Sequence, residues 1–183
     1  MDPRDDPKAF MKTMVLDSLG PYSLSMAVFT AAIHQGTHNP PEWPLGAVGL
    51  SERFASNMGV TLVGNTTRYG LAGMLRQDTL YYRCRCDAPW ARVRHAAFSA
   101  LVARRVSDGS SIFSVADLAA PYAATFTAVY VWYPRRYGAE DAFRMGNYNL
   151  LGTVGTNLVF EFMPVKVRKM LAHVHLSSQR IAN

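Results

Sequence analysis

The sequence has little cysteine, little charge and few long apolar runs, and each shortage excludes a class of protein. Cys84 and Cys86 are the only two cysteines in 183 residues, so the chain has no disulfide framework of the kind found in small secreted domains. Because one residue separates them, they are expected to be free thiols in a loop. Only 17% of the residues are charged and 49% are hydrophobic, which excludes a disordered chain and a coiled coil.

The length predicts one domain over residues 1–183, with 1–8 and 177–183 as mobile termini. The polar, acidic segment 1–8 is unlike the basic start and apolar run of a signal peptide. The sequence contains no nucleophile elbow, phosphate-binding loop or dinucleotide fingerprint. We therefore predict no cofactor, and the residues assign no catalytic group.

Proline and glycine divide the chain into five mostly apolar segments that favour helices: 9–35, 45–80, 91–104, 114–133 and 140–163. Gly20-Pro21 interrupts the first segment, which predicts two short helices or one kinked helix. The turn residues 107–110 predict a small β-hairpin within 102–115. The predicted fold class is all-α, a bundle of four to five main helices with this hairpin.

Four charge-free runs, of 14 to 17 residues, lie at or below the length that a membrane-spanning helix needs, roughly 17–25 residues. They are 18–33, 54–67, 118–134 and 145–160. Two interpretations stay open. One is a soluble bundle with buried asparagines, and the other is a protein whose short helices insert partly into a membrane or lie in its interface.

The net charge of +6 comes from small basic groups at the ends of apolar segments. No nucleic-acid-binding motif accompanies these groups, so nucleic acid is not an expected partner. Basic groups beside apolar helices favour phospholipid headgroups. The headgroup candidates are Arg83, Arg85, Arg135, Arg136, Lys166, Arg168 and Lys169.

Several polar or charged residues interrupt the apolar segments and are candidates for buried hydrogen bonds or ion pairs. They are Glu52, Arg53, Asn65, Arg68, Asp78, Arg144, Asn157 and Glu161. Glu52 and Arg53 are adjacent and cannot face each other on a helix, so Arg144 and Glu161 are their expected partners. Ion pairs that fix the helix register are favoured over a catalytic carboxylate pair.

Two alternatives give the chain a chemical role. His34 and His38 lie four residues apart and precede Glu42, which predicts a metal site if all three share one helix end. The corresponding function is a small metal-dependent hydrolase or lipid-modifying enzyme. The other alternative is a small-ligand carrier with a pocket lined by aromatic side chains at helical spacing, namely Tyr122, Phe126, Tyr130 and Trp132.

Glycines recur on the two longest segments. The pattern G-N-x4-G-x2-G begins at Gly64 and again at Gly146, which suggests two helices packed as a pseudo-symmetric pair. Small residues also allow close helix approach at Gly59 and Gly70, and at Gly152 and Thr156. These faces are predicted to pack against helices of the same chain or of a partner.

A spaced set of short motifs resembles a family of bacterial envelope proteins that has no established activity. The set covers about residues 10–170 and includes Pro41-Glu42-Trp43, Glu52-Arg53-Phe54, Asp78 with Tyr81-Tyr82-Arg83, Trp132-Tyr133-Pro134, and Asn157 with Glu161-Phe162-Met163-Pro164. The resemblance implies a location in the bacterial cell envelope and assigns no catalytic residue. The favoured hypothesis is a non-enzymatic, membrane-associated helical protein, a structural or accessory subunit that binds membrane lipids and a protein partner or itself.

Overall fold

The computed structural model describes residues 6–164, which form six helices and one small antiparallel sheet. The helices are α1 (Pro7–Leu19), α2 (Pro21–Gly36), α3 (Ala47–Leu75), α4 (Pro89–Phe98), α5 (Val115–Val131) and α6 (Ala139–Phe162). The strands are β1 (Gln77–Asp78), β2 (Val102–Arg105) and β3 (Ser111–Phe113), in the spatial order β1-β2-β3. The predicted all-α class with a small hairpin is confirmed.

The break between α1 and α2 falls at Gly20-Pro21, as the sequence predicts. Pro21 has no N–H, so it cannot donate a helical hydrogen bond to the carbonyl of Asp17. That carbonyl instead accepts from the Asn65 side chain on α3, with 2.9 Å between Nδ2 and the oxygen, and from the Ser23 hydroxyl. Asn65 therefore ties the break to the centre of the bundle.

The third predicted segment is shorter as a helix than expected, because α4 ends at Phe98. Residues 102–105 are extended and pair on both sides, with Arg105 opposite Gln77 in β1 and Val102 opposite Phe113 in β3. The sequence shows the hairpin but not the third strand. A strand of two residues is too short to show a periodic pattern in the sequence. β1 forms because the end of α3 places these residues beside β2.

The bundle is built around α3 and α5, which pack against each other along their lengths. α1 and α2 lie against α3, α6 lies against α5, and α4 lies against α6. The two glycines that begin the repeated pattern both face α5, Gly64 toward Ala124 and Gly146 toward Tyr122. The predicted pseudo-symmetric pair is therefore not a direct pair, since both helices pack on α5.

The interior is lined mainly by alanine. Eleven of the fifteen buried hydrophobic residues in the described chain are alanines, and four of them recur at every fourth position along α5. Small side chains let the helices approach closely, while many large apolar side chains remain on the outside. Within residues 6–164, no helix combines the length and the apolar character needed to cross a membrane.

Candidate functional site

A fully buried carboxylate, Glu161, lies in the last turn of α6. Tyr81 donates from its hydroxyl to Oε2 at 2.5 Å, the Cys84 backbone N–H donates to Oε2 at 3.1 Å, and Arg92 donates from Nε to Oε1 at 2.8 Å. The Glu161 carbonyl also accepts from the guanidinium groups of Arg83 and Arg92. Burial alone would raise the pKa of Glu161, but the hydrogen bonds from Tyr81 and Arg92 lower it below its ordinary value.

This arrangement makes Glu161 an anchor and not a reactive group. Its side chain has no exposed surface, and its two oxygens already accept three protein hydrogen bonds. The expected pairing of Glu161 with Arg53 is wrong, because the cationic partner of Glu161 is Arg92 on α4. Arg92 is not among the ion-pair candidates that the sequence indicates.

Arg53, on α3, is the second fully buried charge. Every hydrogen bond that its guanidinium donates goes to an uncharged oxygen at 2.8 to 3.1 Å. The acceptors are the carbonyls of Asn39, Pro40, Trp43, Pro44 and Gly49 and the side-chain oxygen of Gln35. A guanidinium has five N–H donors, so this set uses its full capacity. Arg53 therefore holds the loop between α2 and α3 and has no donor left for a ligand.

Two further predicted residues join elements of the fold. Asn157, buried on α6, donates to the Ala96 carbonyl on α4 at 3.2 Å. Asp78 accepts from the Leu80 N–H at 3.0 Å and from the Tyr82 hydroxyl at 2.8 Å. These hydrogen bonds lower the pKa of Asp78 against the opposing effect of burial. Both residues hold structure in place.

Glu52 and Arg144 lie on the surface and are not brought together. Arg144 pairs with Asp141 one turn earlier on α6, with 2.6 Å between nitrogen and oxygen. Glu52 is exposed on α3. The exposed Arg144–Asp141 ion pair contributes little to stability because water screens it.

A cluster of charged groups lies between α1, α3 and α5. Arg68 is 3.5 Å from a carboxylate oxygen of Asp17, and the Tyr69 hydroxyl donates to the same oxygen. Burial raises the pKa of Asp117 on α5, and the nearby Arg68 lowers it in part. The cluster places the Arg68 cation beside carboxylates of two other helices.

The predicted metal site is not assembled. His34 is half-buried near the end of α2, and burial together with the charge of Arg53 lowers its pKa. His38 lies beyond the helix with a φ of 50°, and Glu42 pairs with Arg136. In the part of the chain that the structure describes, no three His, Cys, Asp or Glu side chains come close enough together to hold a metal. His34, His38 and Glu42, on which the hydrolase alternative depends, therefore do not form one site.

The predicted headgroup arginines differ in how far the fold engages them. Arg83 donates to the Glu161 carbonyl, and Arg136 pairs with Glu42. Arg85 and Arg135 are exposed. Lys166, Arg168 and Lys169 lie outside the described residues, so their part in a lipid site stays a prediction.

Cys84 and Cys86 are joined by a disulfide, which corrects the expectation of two free thiols. The bond closes a short loop around the exposed Arg85. Because the Cys84 N–H donates to Glu161, this loop is fixed to the end of α6.

The aromatic side chains proposed for a carrier pocket pack against neighbouring groups. Tyr122 and Phe126 both contact the Phe143 ring on α6, and the Trp132 N–H donates to Ser56 on α3 at 2.9 Å. Tyr130 stacks on Phe126 and is otherwise exposed. Three of the four aromatic side chains are therefore engaged with α3 or α6 of the same chain.

A surface pocket of about 420 Å³ lies beside the start of α6, lined by Asn39, Arg136, Tyr137, Asp141 and Arg144. Its two arginines are both neutralised by carboxylates, one by Glu42 outside the pocket and the other by Asp141 within it. The pocket is therefore polar, but it offers no excess positive charge to an anionic ligand.

The surface of α1 and α2 carries a continuous set of exposed apolar side chains, which we call the α1–α2 outer face. Its members recur every three or four residues across the Gly20-Pro21 break. They are Met11, Val15, Leu19, Tyr22, Met26, Phe29 and Ile33. Lys8 and Lys12 share this face at the start of α1, and α2 contains no Asp, Glu, Lys or Arg. The spacing is visible in the sequence, but periodicity does not tell which side of a helix faces the core.

A second apolar surface, the α6 outer face, consists of Tyr148, Leu151, Gly152, Gly155, Val159 and Phe162. At 100° per residue these six positions fall within about 100° of the helix circumference, opposite the buried Gly146 and Asn157. Tyr148, Leu151 and Val159 are 65%, 63% and 59% exposed. A Cβ atom at Gly152 or Gly155 would meet nothing within 4 Å, so both glycines open onto the surface.

The functional candidates are thus two apolar surfaces on a bundle whose buried charges serve structure. Comparisons of the chain with protein families, curated proteins and solved structures give no match.

Proposed function

We propose that the protein is a non-enzymatic, membrane-associated helical protein of the bacterial cell envelope, a structural or accessory subunit that lies on lipid through the α1–α2 outer face. The observation that carries the proposal is the row of seven exposed apolar side chains on α1 and α2. The envelope location rests on the resemblance described above.

The distribution of side-chain size supports lipid as the environment of this face. Alanine fills the interior, while Phe29 is 60% exposed and its neighbours on the same face are more than 40% exposed. Water does not favour a contiguous apolar patch of this length on a soluble monomer. A bilayer interface would cover the large side chains without requiring the helices to span it.

The charges on the same face also suit a lipid surface. Lys8 and Lys12 lie on the exposed side of α1, in line with Met11 and Val15. A helix that presents lysines beside an apolar row binds the interface of anionic lipids, each lysine contributing about 1 kcal/mol. Asp17, which is partly buried and pairs with Arg68, lies on the opposite side of α1 and does not oppose this attraction.

The test is flotation of the purified chain with vesicles of phosphatidylcholine, with and without phosphatidylglycerol. The wild type should float with both and more strongly with the anionic vesicles. Phe29→Glu should weaken partitioning about tenfold, because burial of one large apolar side chain contributes about 1.5–3 kcal/mol. Val48→Glu is the matched control, since Val48 is 63% exposed on α3 and lies outside the face.

Two further variants separate the charge from the apolar contribution. Lys8→Gln with Lys12→Gln should reduce binding to the anionic vesicles and leave binding to neutral vesicles unchanged. The proposal is overturned if the wild type floats with neither vesicle, or if Phe29→Glu and Val48→Glu bind equally well.

A further inference from the structure

The Cys84–Cys86 disulfide contributes little to holding its own segment in place. It joins residues two apart in the sequence, and the entropy that a cross-link removes from the unfolded chain is smallest for short loops. The segment is also anchored by hydrogen bonds that involve no sulfur, since the Cys84 N–H and the Tyr81 hydroxyl both donate to Glu161. Arg83 donates to the Glu161 carbonyl. The segment is therefore held at the end of α6 whether or not the two sulfurs are joined.

The backbone suits both the joined and the separated state of the two sulfurs. The Cα atoms of Cys84 and Cys86 are 5.2 Å apart, within the range of about 4.4–6.8 Å that disulfides span. Because the Cys84 N–H is bound to Glu161, two separated thiols would stay close together. The bond can thus open and close again without a change in the helices.

The disulfide is accessible from the surface. Both cysteines are half-buried, and Arg85 between them is exposed. Exchange requires a thiolate to reach one of the sulfurs, and exposed disulfides are the ones that exchange readily. Partial exposure admits a small thiol more easily than a cysteine on the surface of a folded protein.

Positive charge predominates in the sequence around the pair. Arg83 and Arg85 lie on either side of Cys84, and Asp87 is the nearest acidic residue in the sequence. The Glu161 carboxylate is neutralised by its ion pair with α4. Cationic side chains stabilise the thiolate that leaves during exchange, and they attract an attacking thiol of negative charge. The surroundings of the pair therefore favour a small anionic thiol.

We propose that Cys84 and Cys86 form a site of reversible thiol–disulfide exchange with small thiols of net negative charge. The thiolate of the small molecule attacks one sulfur of the pair, a mixed disulfide forms, and the other sulfur leaves as a thiolate that takes a proton from water. A second small thiolate attacks the mixed disulfide and releases the remaining protein sulfur as a thiol, together with a small-molecule disulfide. The protein pair gains the two electrons that the two small thiols lose.

This modification goes beyond the proposed lipid contact and does not depend on it. The Cys84–Cys86 loop is attached to the end of α6 and shares no residue with the α1–α2 outer face. The reaction is stoichiometric, so it requires no catalytic group.

The experiment equilibrates the full chain in buffers of reduced and oxidised glutathione, followed by alkylation and mass spectrometry. The wild type should change reversibly between the disulfide and two alkylated thiols. Its melting temperature, followed by circular dichroism, should fall by no more than about 6 °C on reduction, because the loop is short. Cys84→Ser with Cys86→Ser is the control that should show no change in mass.

The charge preference is tested by comparing the rates of reduction by glutathione, which is anionic, and by 2-mercaptoethanol, which is neutral. In Arg85→Gln the ratio of the two rates should fall about threefold at low salt. Arg135→Gln is the matched control, since Arg135 is exposed near the opposite end of α6 and should leave the ratio unchanged.

Three results would each overturn the proposal: a pair that stays oxidised in reduced glutathione, a chain that unfolds on reduction, and an unchanged rate ratio in Arg85→Gln. Vesicle binding by Cys84→Ser with Cys86→Ser should equal that of the wild type, so failure of the lipid proposal and failure of this one are distinguishable.

Discussion

Replacing the fully buried Glu161 with glutamine should destabilise the protein more than the same change at the exposed Glu42. The variant keeps the size of the side chain but removes the negative charge of the carboxylate, whose oxygens accept hydrogen bonds from Tyr81 and Arg92. Loss of one partner from a buried ion pair costs about 3–5 kcal/mol. Arg92 is one-quarter exposed and keeps its bond to the Glu161 carbonyl, so the lower end, about 3 kcal/mol, is expected.

A loss of about 3 kcal/mol corresponds to a fall in melting temperature of about 6–12 °C for a chain of this size. The measurement is thermal unfolding followed by circular dichroism. Glu42→Gln is the matched control, because it makes the same chemical change in an exposed ion pair with Arg136 and should cost less than about 1 kcal/mol. A Glu161→Gln variant that melts within about 1 °C of the wild type would refute the assignment of Glu161 as a buried anchor.

The pH dependence of stability provides a second test of the role of Glu161. The pKa of Glu161 is lowered in the folded protein, so the folded state binds its proton less readily than the unfolded state does. Its stabilisation is complete above the unfolded value of about 4.3 and is lost as the pH falls through the lower folded value. The stability difference between wild type and Glu161→Gln should therefore shrink on acidification below about pH 4. A difference that stays constant would show that the carboxylate charge is not its source.

Two further substitutions test the loop that Arg53 holds. Arg53→Lys should lower the unfolding free energy by about 2–4 kcal/mol in urea denaturation, because an ammonium has three donors for six acceptors. The control Arg94→Lys, at an exposed position, should have no effect. Equal stability of the two variants would contradict the role of Arg53 in holding the loop. Gly49→Ala should lower the unfolding free energy by about 2–3 kcal/mol in the same assay, since its Cβ would lie 1.6 Å from the Pro44 carbonyl oxygen. The control Gly36→Ala should be tolerated, because a Cβ at Gly36 meets nothing within 4 Å. A Gly49→Ala variant as stable as the wild type would show that the loop can move away.

Local chemistry in the sequence determines where the helices begin and end. Pro21 and Pro89 each occupy the first turn of a helix, where their missing N–H groups cost nothing. At the start of α6, the Asp141 side chain accepts a hydrogen bond from the Gly138 backbone N–H and so caps the helix. The hairpin turn is equally local, since Asp108 accepts from Ser110 within it. These features depend on neighbouring residues and are readable without tertiary information.

The partners of the buried charges depend on distant segments and were not readable. Five of the six acceptors of Arg53 are backbone carbonyls, which every residue type possesses, so no sequence pattern marks them. Glu161 pairs with Arg92, which is 69 residues away, in preference to other arginines that the sequence makes equally eligible. Chain topology alone decided between them.

The sequence by itself determined that this chain is a helical bundle with apolar rows on its helices, because propensity, capping and periodicity are local properties. Only the tertiary structure decided which rows became interior. α5 presents its alanines to α3, the close approach leaves no room for larger side chains, and residues such as Phe29 and Tyr148 remain outside. The two candidate binding surfaces are a consequence of that packing, since periodicity marks a face but does not say whether the protein's own core covers it.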